Sequence, residues 1–410
     1  MSKVVRRGGT TMLTRLFGTS FLACALSSAL PAPACAASES KASPESRLIE
    51  VYKLIGAGNS RAALQRAESL VQDVPTFQLA QLVYGDLLLA QTNPISAMGS
   101  APPGLAARAP QKLDQLRMEA RRRLAALQER PPANAVPAQF VQLPQTTHHA
   151  IAVDASRSRL YLFENGPSGL KLISDHYASI GRLGADKSVQ GDQRTPLGVY
   201  YITSRLEGKQ LTDFYGSGAL PLNYPNEYDR RLGRTGHGIW LHGVPSDSFA
   251  RSPNSTDGCV ALSNPELQNL LARVEPRTTP VVIAKNLDWV PPQQSQPQQR
   301  NLHNLLEGWR VARVTGDMAR LMSFYSEAFA GNGIKDLSQW RQVLLRENTA
   351  QRNKSLELKD VAILKWQDRG DVMVVTFGEL TNGQRNGPIK RQYWGKENGL
   401  WKIFYEGVIG

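Results

Sequence analysis

The chain has 410 residues, room for two or three domains, and its 41% hydrophobic content supports packed cores and excludes a disordered polypeptide. Its 48 Lys and Arg against 35 Asp and Glu give a formal charge of +13. The charge suits a polyanionic neighbourhood such as a cell envelope; nucleic acid is the other reading, but no basic run is interleaved with aromatics and the N-terminal segment described next argues for export.

At the N-terminus, Lys3, Arg6, Arg7 and Arg15 precede an apolar stretch over residues 16–30, and Ala34-Cys35-Ala36 has the small-x-small form of a cleavage site. Residues 1–36 are therefore predicted to be an export signal, with the mature protein in the periplasm or cell envelope. The stretch is short and diluted by Gly18, Thr19, Ser20, Ser27 and Ser28, so no transmembrane anchor is expected after cleavage. A lipoprotein is the alternative, but Phe21-Leu22-Ala23-Cys24 and Ala32-Pro33-Ala34-Cys35 fit a lipidation site poorly. Cleavage leaves 44 basic residues against 35 acidic ones, still a net +9, and one cysteine, Cys259.

Residues 37–135 read as an α-helical region. Apolar positions recur at helical spacing through Leu48, Val51, Tyr52 and Ile55, then Leu64, Ala67, Leu70 and Val71, then Leu79, Leu82 and Val83. Three short helices follow, with Ser43 as a cap before Pro44 and Gly58-Asn59-Ser60 as a break. A single tetratricopeptide-like unit over 63–91 lacks the repeat that would make it an array. After a loop over 96–104, a charged helix is expected over 110–130, with Arg121-Arg122-Arg123 on its solvated face. Pro131, Pro132 and Pro137 mark a boundary.

From residue 145 to 287 the pattern turns mostly β. Ile151-Ala152-Val153, Leu160-Tyr161-Leu162-Phe163 and Leu170-Lys171-Leu172-Ile173 read as a meander, with further strands at 198–202, 238–242 and 280–284 and a helix at 265–274. The Pro/Gln-rich run over 288–300 reads as an extended linker. Residues 301–410 then give an amphipathic helical pair around Gly316-Asp317 and strands at 356–366, 371–380, 387–395 and 400–407. Helices followed by a curved antiparallel sheet make an α+β cone. The fold class is thus mixed: a mostly-β domain between a helical region and an α+β cone.

A lone thiol in an exported chain has no internal disulfide partner, and an oxidising compartment penalises a thiol without a task. An inert buried cysteine is the bland alternative. Its setting, Ser255-Thr256-Asp257-Gly258-Cys259-Val260 after Trp240-Leu241-His242-Gly243, points to a nucleophile with a base. His242 ends an apolar strand, and the Gly243 backbone carbonyl is expected to orient its ring. His148, His149, His176, His237 and His303 fit less well. Gly258 permits close backbone approach, so amides of Asp257 and Gly258 are candidate oxyanion donors and acyl transfer is the implied chemistry. No second His or Cys has ligand spacing to Cys259, so neither metal nor cofactor is expected.

His242-Gly243, the seventeen-residue gap and the segment ending in Gly258-Cys259-Val260 resemble the signature of the L,D-transpeptidase (YkuD-type) cysteine enzymes of bacterial peptidoglycan. Ser179-Ile180-Gly181 and residues 191–200 resemble the family's second segment. Asp257 and Ala261 stand where the family often has His and Arg, a departure similar to the YafK-like branch, which includes hydrolases as well as transferases. The C-terminal segment, with Trp309, Phe324-Tyr325, Phe329, Tyr393-Trp394 and Trp401, resembles an NTF2-like domain. The pairing resembles the cell-shape L,D-carboxypeptidases of Helicobacter and Campylobacter.

The resemblance implies that Cys259 attacks the meso-diaminopimelate carbonyl of a tetrapeptide stem and expels D-Ala. Transfer to an amine gives a cross-link, and transfer to water gives a tripeptide; a non-catalytic peptidoglycan-binding scaffold is the third reading. Lys187, Arg194 and Thr195 are candidates for holding the leaving carboxylate, with Trp240 walling the cleft. Peptidoglycan stems are the expected partner, with envelope proteins recruited through the NTF2-like domain.

Overall fold

The computed structural model describes residues 42–94, 97–99, 110–331, 333–334, 336–351, 355–367, 370–381 and 383–409; the predicted export signal, with Cys24 and Cys35, lies outside them. The helical region comprises α1 (Pro44–Gly56), α2 (Ser60–Asp73), α3 (Gln78–Leu89) and α4 (Pro110–Gln128). Ser43 caps α1 through the Ser46 amide with Pro44 in the first turn, and Asn59 caps α2 through the Ala62 amide.

The middle domain runs β1 (Val136–Pro137), β2 (Phe140–Gln142), β3 (His149–Asp154), β4 (Arg159–Gly166), β5 (Gly169–Tyr177), β6 (Ile180–Gly181), β7 (Gly198–Tyr201), β8 (Leu206–Glu207), β9 (Gly218–Pro221), α5 (Glu227–Arg231), β10 (Trp240–His242), β11 (Asn254–Thr256), β12 (Val260–Ala261), α6 (Asn264–Arg273), β13 (Pro280–Ala284) and β14 (Trp289–Val290). The expected meander β3–β5 extends into a sheet of order β5-β4-β3-β13-β7, and a second sheet has the order β12-β10-β9-β8. Ile151, Ala152 and Val153 are all fully buried, so β3 is covered on both faces and its run is continuously apolar rather than alternating.

The C-terminal domain follows as α7 (Pro292–Thr315), α8 (Met318–Met322), α9 (Leu337–Gln351), β15 (Leu356–Gln367), β16 (Asp371–Thr381), β17 (Ile389–Glu397) and β18 (Leu400–Val408). Alternation splits its sheet: Met373, Val375 and Trp394 pack with Trp309 and Phe329 on the helical side, whereas Val372, Val374 and Tyr393 face the other way. Those outward residues, with Trp366 and Phe404, join the core of the middle domain, and β2 adds an edge strand beside β15. The C-terminal domain is therefore built into its neighbour, not tethered to it.

Two expectations are corrected. The extended linker over 288–300 is largely helix, because α7 begins at Pro292. Proline at the first turn costs no backbone bond, glutamine is a good helix former, and burial of Leu302, Leu306 and Trp309 further along holds the helix despite the interior Pro297. Arg123, read as part of a solvated face, is buried. Its guanidinium bonds Glu45 at 2.8 Å and Glu119 at 2.8 Å, while Arg159 bonds the same Glu45 oxygen at 2.7 Å. Burial pushes the Glu45 carboxyl up, but the two arginines outweigh it and hold it below the usual carboxylate range. Sequence spacing on α4 alone does not reveal a partner on α1.

Candidate active site

Strand β10 is flanked by β9 on one side and β12 on the other. The parallel register Leu241↔Val260 and His242↔Ala261 returns the chain so that Cys259, one residue before β12, lies beside Trp240. The loop of sixteen residues between His242 and Cys259 is thus closed by strand pairing. Gly258 has φ +129°, and a Cβ there would lie 2.8 Å from the Arg194 carbonyl oxygen, so the turn requires glycine.

His242 is buried, and its Nδ1 lies 2.6 Å from the Gly243 carbonyl oxygen. A carbonyl only accepts, so the proton sits on Nδ1 and the lone pair of the neutral ring is on Nε2. Phe214 stacks on the imidazole at 5.9 Å and Tyr215 meets it edge-on at 5.2 Å. Burial lowers the imidazole pKa to about 4, against the pull of the Gly243 bond.

A Cβ on Gly243 would come within 2.1 Å of Asn264 Oδ1. Asn264, at the start of α6, accepts from the Ser217 amide at 2.9 Å and the Val244 amide at 3.2 Å and donates to the Val244 carbonyl at 2.8 Å. It clamps the turn after His242 to the turn before β9.

The half-buried Cys259 thiol donates to the Gly238 carbonyl at 3.4 Å, and the Trp240 amide also reaches the sulfur. Burial pushes the thiol up to about 11, the Trp240 amide opposes this, Asp257 adds to it, and Arg251 and Lys187 oppose it. Cys259 and His242 are strand neighbours but not hydrogen-bonded to each other. At neutral pH the cleft therefore holds a thiol and a neutral imidazole.

The other expected site residues divide. The Gly258 amide donates to Thr256 Oγ1 at 3.2 Å, and the Thr256 hydroxyl donates to the Cys259 carbonyl at 2.7 Å, so the Gly258 amide is already engaged. The exposed Asp257 carboxylate faces Arg182 at 3.7 Å. Lys187 is buried and spent on Asp192 at 2.7 Å and the Val189 carbonyl at 3.1 Å. Thr195 is fully buried, its Oγ1 accepting from the Gly181 amide at 2.8 Å. Neither Lys187 nor Thr195 presents a free group to a substrate, because both close the 181–195 loop on itself. Arg194 is exposed, donates to the Ala185 carbonyl at 3.1 Å, and lines a separate cleft of about 570 Å³ with Arg122, Asn254 and Lys285. Trp240 is half-buried against Tyr215 at 4.8 Å.

Arg251, Phe214, Tyr215 and Asn264 are residues that sequence reasoning missed. The Arg251 guanidinium stacks over Phe214 at 4.2 Å, donates to the Phe214 carbonyl at 3.4 Å and acts electrostatically on Cys259. Its loop is fixed from outside: the Phe249 amide bonds the Thr76 carbonyl at 3.2 Å, Phe249 packs on Phe77 at 4.2 Å, and the Tyr177 hydroxyl donates to the Arg251 carbonyl at 2.9 Å. The one sequence signal was a basic residue in the loop between His242 and Cys259. Among the described residues no group of three or more His, Cys, Asp or Glu is arranged to hold a metal, and no helix is long and apolar enough to cross a membrane.

A half-buried cysteine at the head of one strand and a ring-locked histidine ending its neighbour thus place a thiol and a neutral imidazole at adjacent strand ends, beside a two-sheet core. Residues 148–283 match the L,D-transpeptidase (YkuD) catalytic domain and residues 301–407 match the Cds6 C-terminal NTF2-like domain, so the chain carries an L,D-transpeptidase catalytic domain followed by an NTF2-like domain. Among solved structures, the Bd1075 protein of Bdellovibrio bacteriovorus is 26% identical with a TM-score of 0.58, covering 67% of this chain and 98% of that one. The helical cell shape determining protein Pgp2 of Campylobacter jejuni, at 20% identity and a TM-score of 0.52 over 68% of this chain and 95% of its own, shares the fold. No curated protein matches the chain.

Proposed function

We propose that the protein is an exported peptidoglycan-modifying cysteine acyl transferase that acts on tetrapeptide stems outside the cytoplasmic membrane and remodels the wall that sets cell shape. The observation that carries this reading is the His242 tautomer, since the Gly243 carbonyl holds the proton on Nδ1 and leaves Nε2 as the basic nitrogen of a ring that ends the strand beside Cys259. Substrate binding brings thiol and imidazole together. The thiol proton then passes to Nε2 as sulfur attacks the meso-diaminopimelate carbonyl, forming the C–S bond and an oxyanion.

Collapse breaks the C–N bond, and the imidazolium returns the proton to the departing D-Ala amine. The resulting thioester passes its acyl group to an amine, giving a cross-link, or to water, giving a tripeptide. Amides around Asp257 and Cys259 serve the oxyanion, and Gly258 joins them by releasing Thr256. Lys187 acts on the sulfur through its field, while Arg251, which makes no ion pair within 4 Å among the described residues, takes the substrate carboxylate. Arg194 and Trp240 contact the stem further out.

Incubation with disaccharide tetrapeptide followed by mass analysis tests this directly. Tripeptide or cross-linked product with free D-Ala is the expected result, and the product identifies the acceptor. Unchanged tetrapeptide would contradict the proposal.

A further inference from the structure

A cavity of about 570 Å³ lies where the catalytic domain meets the outer face of the C-terminal sheet, away from Cys259 and His242. That volume is in the range of small-molecule sites. Pro144, Ile202 and Thr203 form its catalytic-domain wall, and Thr376, Ile389 and Arg391 its sheet wall.

Arg391 is the unusual member. It is only 5% exposed, its guanidinium carbon lies 3.6 Å over the Tyr201 ring, and its Nε donates to Thr376 Oγ1 at 2.9 Å. No carboxylate stands within ion-pair distance of it among the described residues, and neither Nη has a protein acceptor. Its Nη atoms are not among the fully enclosed unpartnered atoms, so they open on the cavity, where a ligand can reach them. Here stacking and one hydrogen bond fix the plane, and the unpartnered edge is the two-donor fork that matches a carboxylate.

The charge balance narrows the ligand. Arg277 lines the same cavity as a second cation and Asp360 as the one acid, so the wall carries one net positive charge. That suits a singly charged carboxylate better than a phosphate. The remaining wall mixes threonine hydroxyls and Asn223 with Pro144, Ile202 and Ile389, as a peptide backbone with small side chains requires.

We propose that this interdomain cavity binds the terminal carboxylate of a short peptide, with Arg391 as the bidentate anchor and Arg277 at its rim. The site stands independently of the acyl-transfer reading above.

The test is titration calorimetry on the full chain with Cys259 blocked by N-ethylmaleimide, using N-acetyl-L-alanyl-D-alanine, its C-terminal amide and inorganic phosphate. The dipeptide is expected to bind one-to-one and the amide and phosphate at least tenfold more weakly. Arg391→Met and Ile389→Trp should each weaken the dipeptide at least tenfold. Methionine keeps the length of the covered stem, so Arg391→Met is expected to fold, which its thermal melt without ligand checks. If that variant fails to fold, Ile389→Trp, which fills the cavity from a half-exposed position, decides alone. Wild-type affinity in the folded variants, equal binding of the amide or of phosphate, or no saturable binding of the dipeptide would overturn the proposal.

Discussion

On its N-terminal side the catalytic domain is held by a buried charge cluster, Glu45 of α1 shared between Arg123 of α4 and Arg159 of β4, and by the single ring of Phe249 on Phe77. On its C-terminal side it is held by apolar area, through Trp366, Val372, Val374, Tyr393 and Phe404 against its own core and through β2 paired to β15. The two attachments lead to different places. Arg123 stacks 4.0 Å over Tyr177, whose hydroxyl holds the Arg251 carbonyl, so the helical region reaches the wall of the cleft. The C-terminal sheet reaches the opposite side of the core and the cavity at Arg391. A charge cluster specifies one geometry beside the chemistry, whereas broad apolar burial supplies stability away from it.

Deleting residues 301–410 should have the largest effect, because it strips one wall from a continuous core and the partner from β2. The truncated chain is expected to be insoluble or to lack a cooperative melt, measured by near-UV circular dichroism and calorimetry. A truncation that melts cooperatively would show that the shared core is dispensable.

Glu45→Ala removes the acid that two buried guanidiniums share, leaving Arg123 with Glu119 alone and Arg159 with Asp175 alone, and should cost about 3 kcal/mol in chemical denaturation. It should also lower turnover, since Arg123 supports Tyr177. Phe249→Ala removes the packing of the Arg251 loop on Phe77 at a cost of about 3 kcal/mol, and its kcat/KM should fall while the C-terminal sheet's hydrogen-exchange protection persists. Loss of protection throughout would mean the two attachments are not separable.

The pH dependence is sharper still. His242 titrates near 4 in the folded chain and near 6.5 when unfolded, so the unfolded state binds more protons between those values. Stability from this group is complete above about pH 6.5 and falls by up to about 3 kcal/mol as pH drops toward 4. His242→Gln should flatten that limb of a denaturation series. Smallest is Arg251→Lys, which keeps the charge but loses the stacked fork and should lower kcat/KM about tenfold, or about 1.4 kcal/mol, on carboxylate-ended stems. An equal loss on a C-terminal amide would remove Arg251 from substrate recognition.

Local signals were the legible ones. Periodicity located α1 to α4 and β15 to β18 within a few residues, because their caps, glycines and apolar faces are encoded in neighbouring positions. The placement of Cys259 beside the strand that His242 ends could be anticipated because both lie in one short stretch. What was hidden depends on partners distant in sequence: Glu45 with Arg159, Asn264 with Ser217, Phe249 with Thr76, and β2 with β15. Lys187 and Thr195 have the right chemistry for substrate contact, yet Asp192 and the Gly181 amide claim them first. A sequence shows which groups can bond and leaves open which of them are already satisfied.

The central claim, that Cys259 is the acyl acceptor of a cleft built by β10 and β12, is tested most directly by intact-protein mass spectrometry after incubation with a carbapenem. The wild-type chain should gain one adduct and the Cys259→Ala chain, folded by its thermal melt, should gain none. An adduct of the same mass on the folded Cys259→Ala protein would place the nucleophile elsewhere and contradict the account.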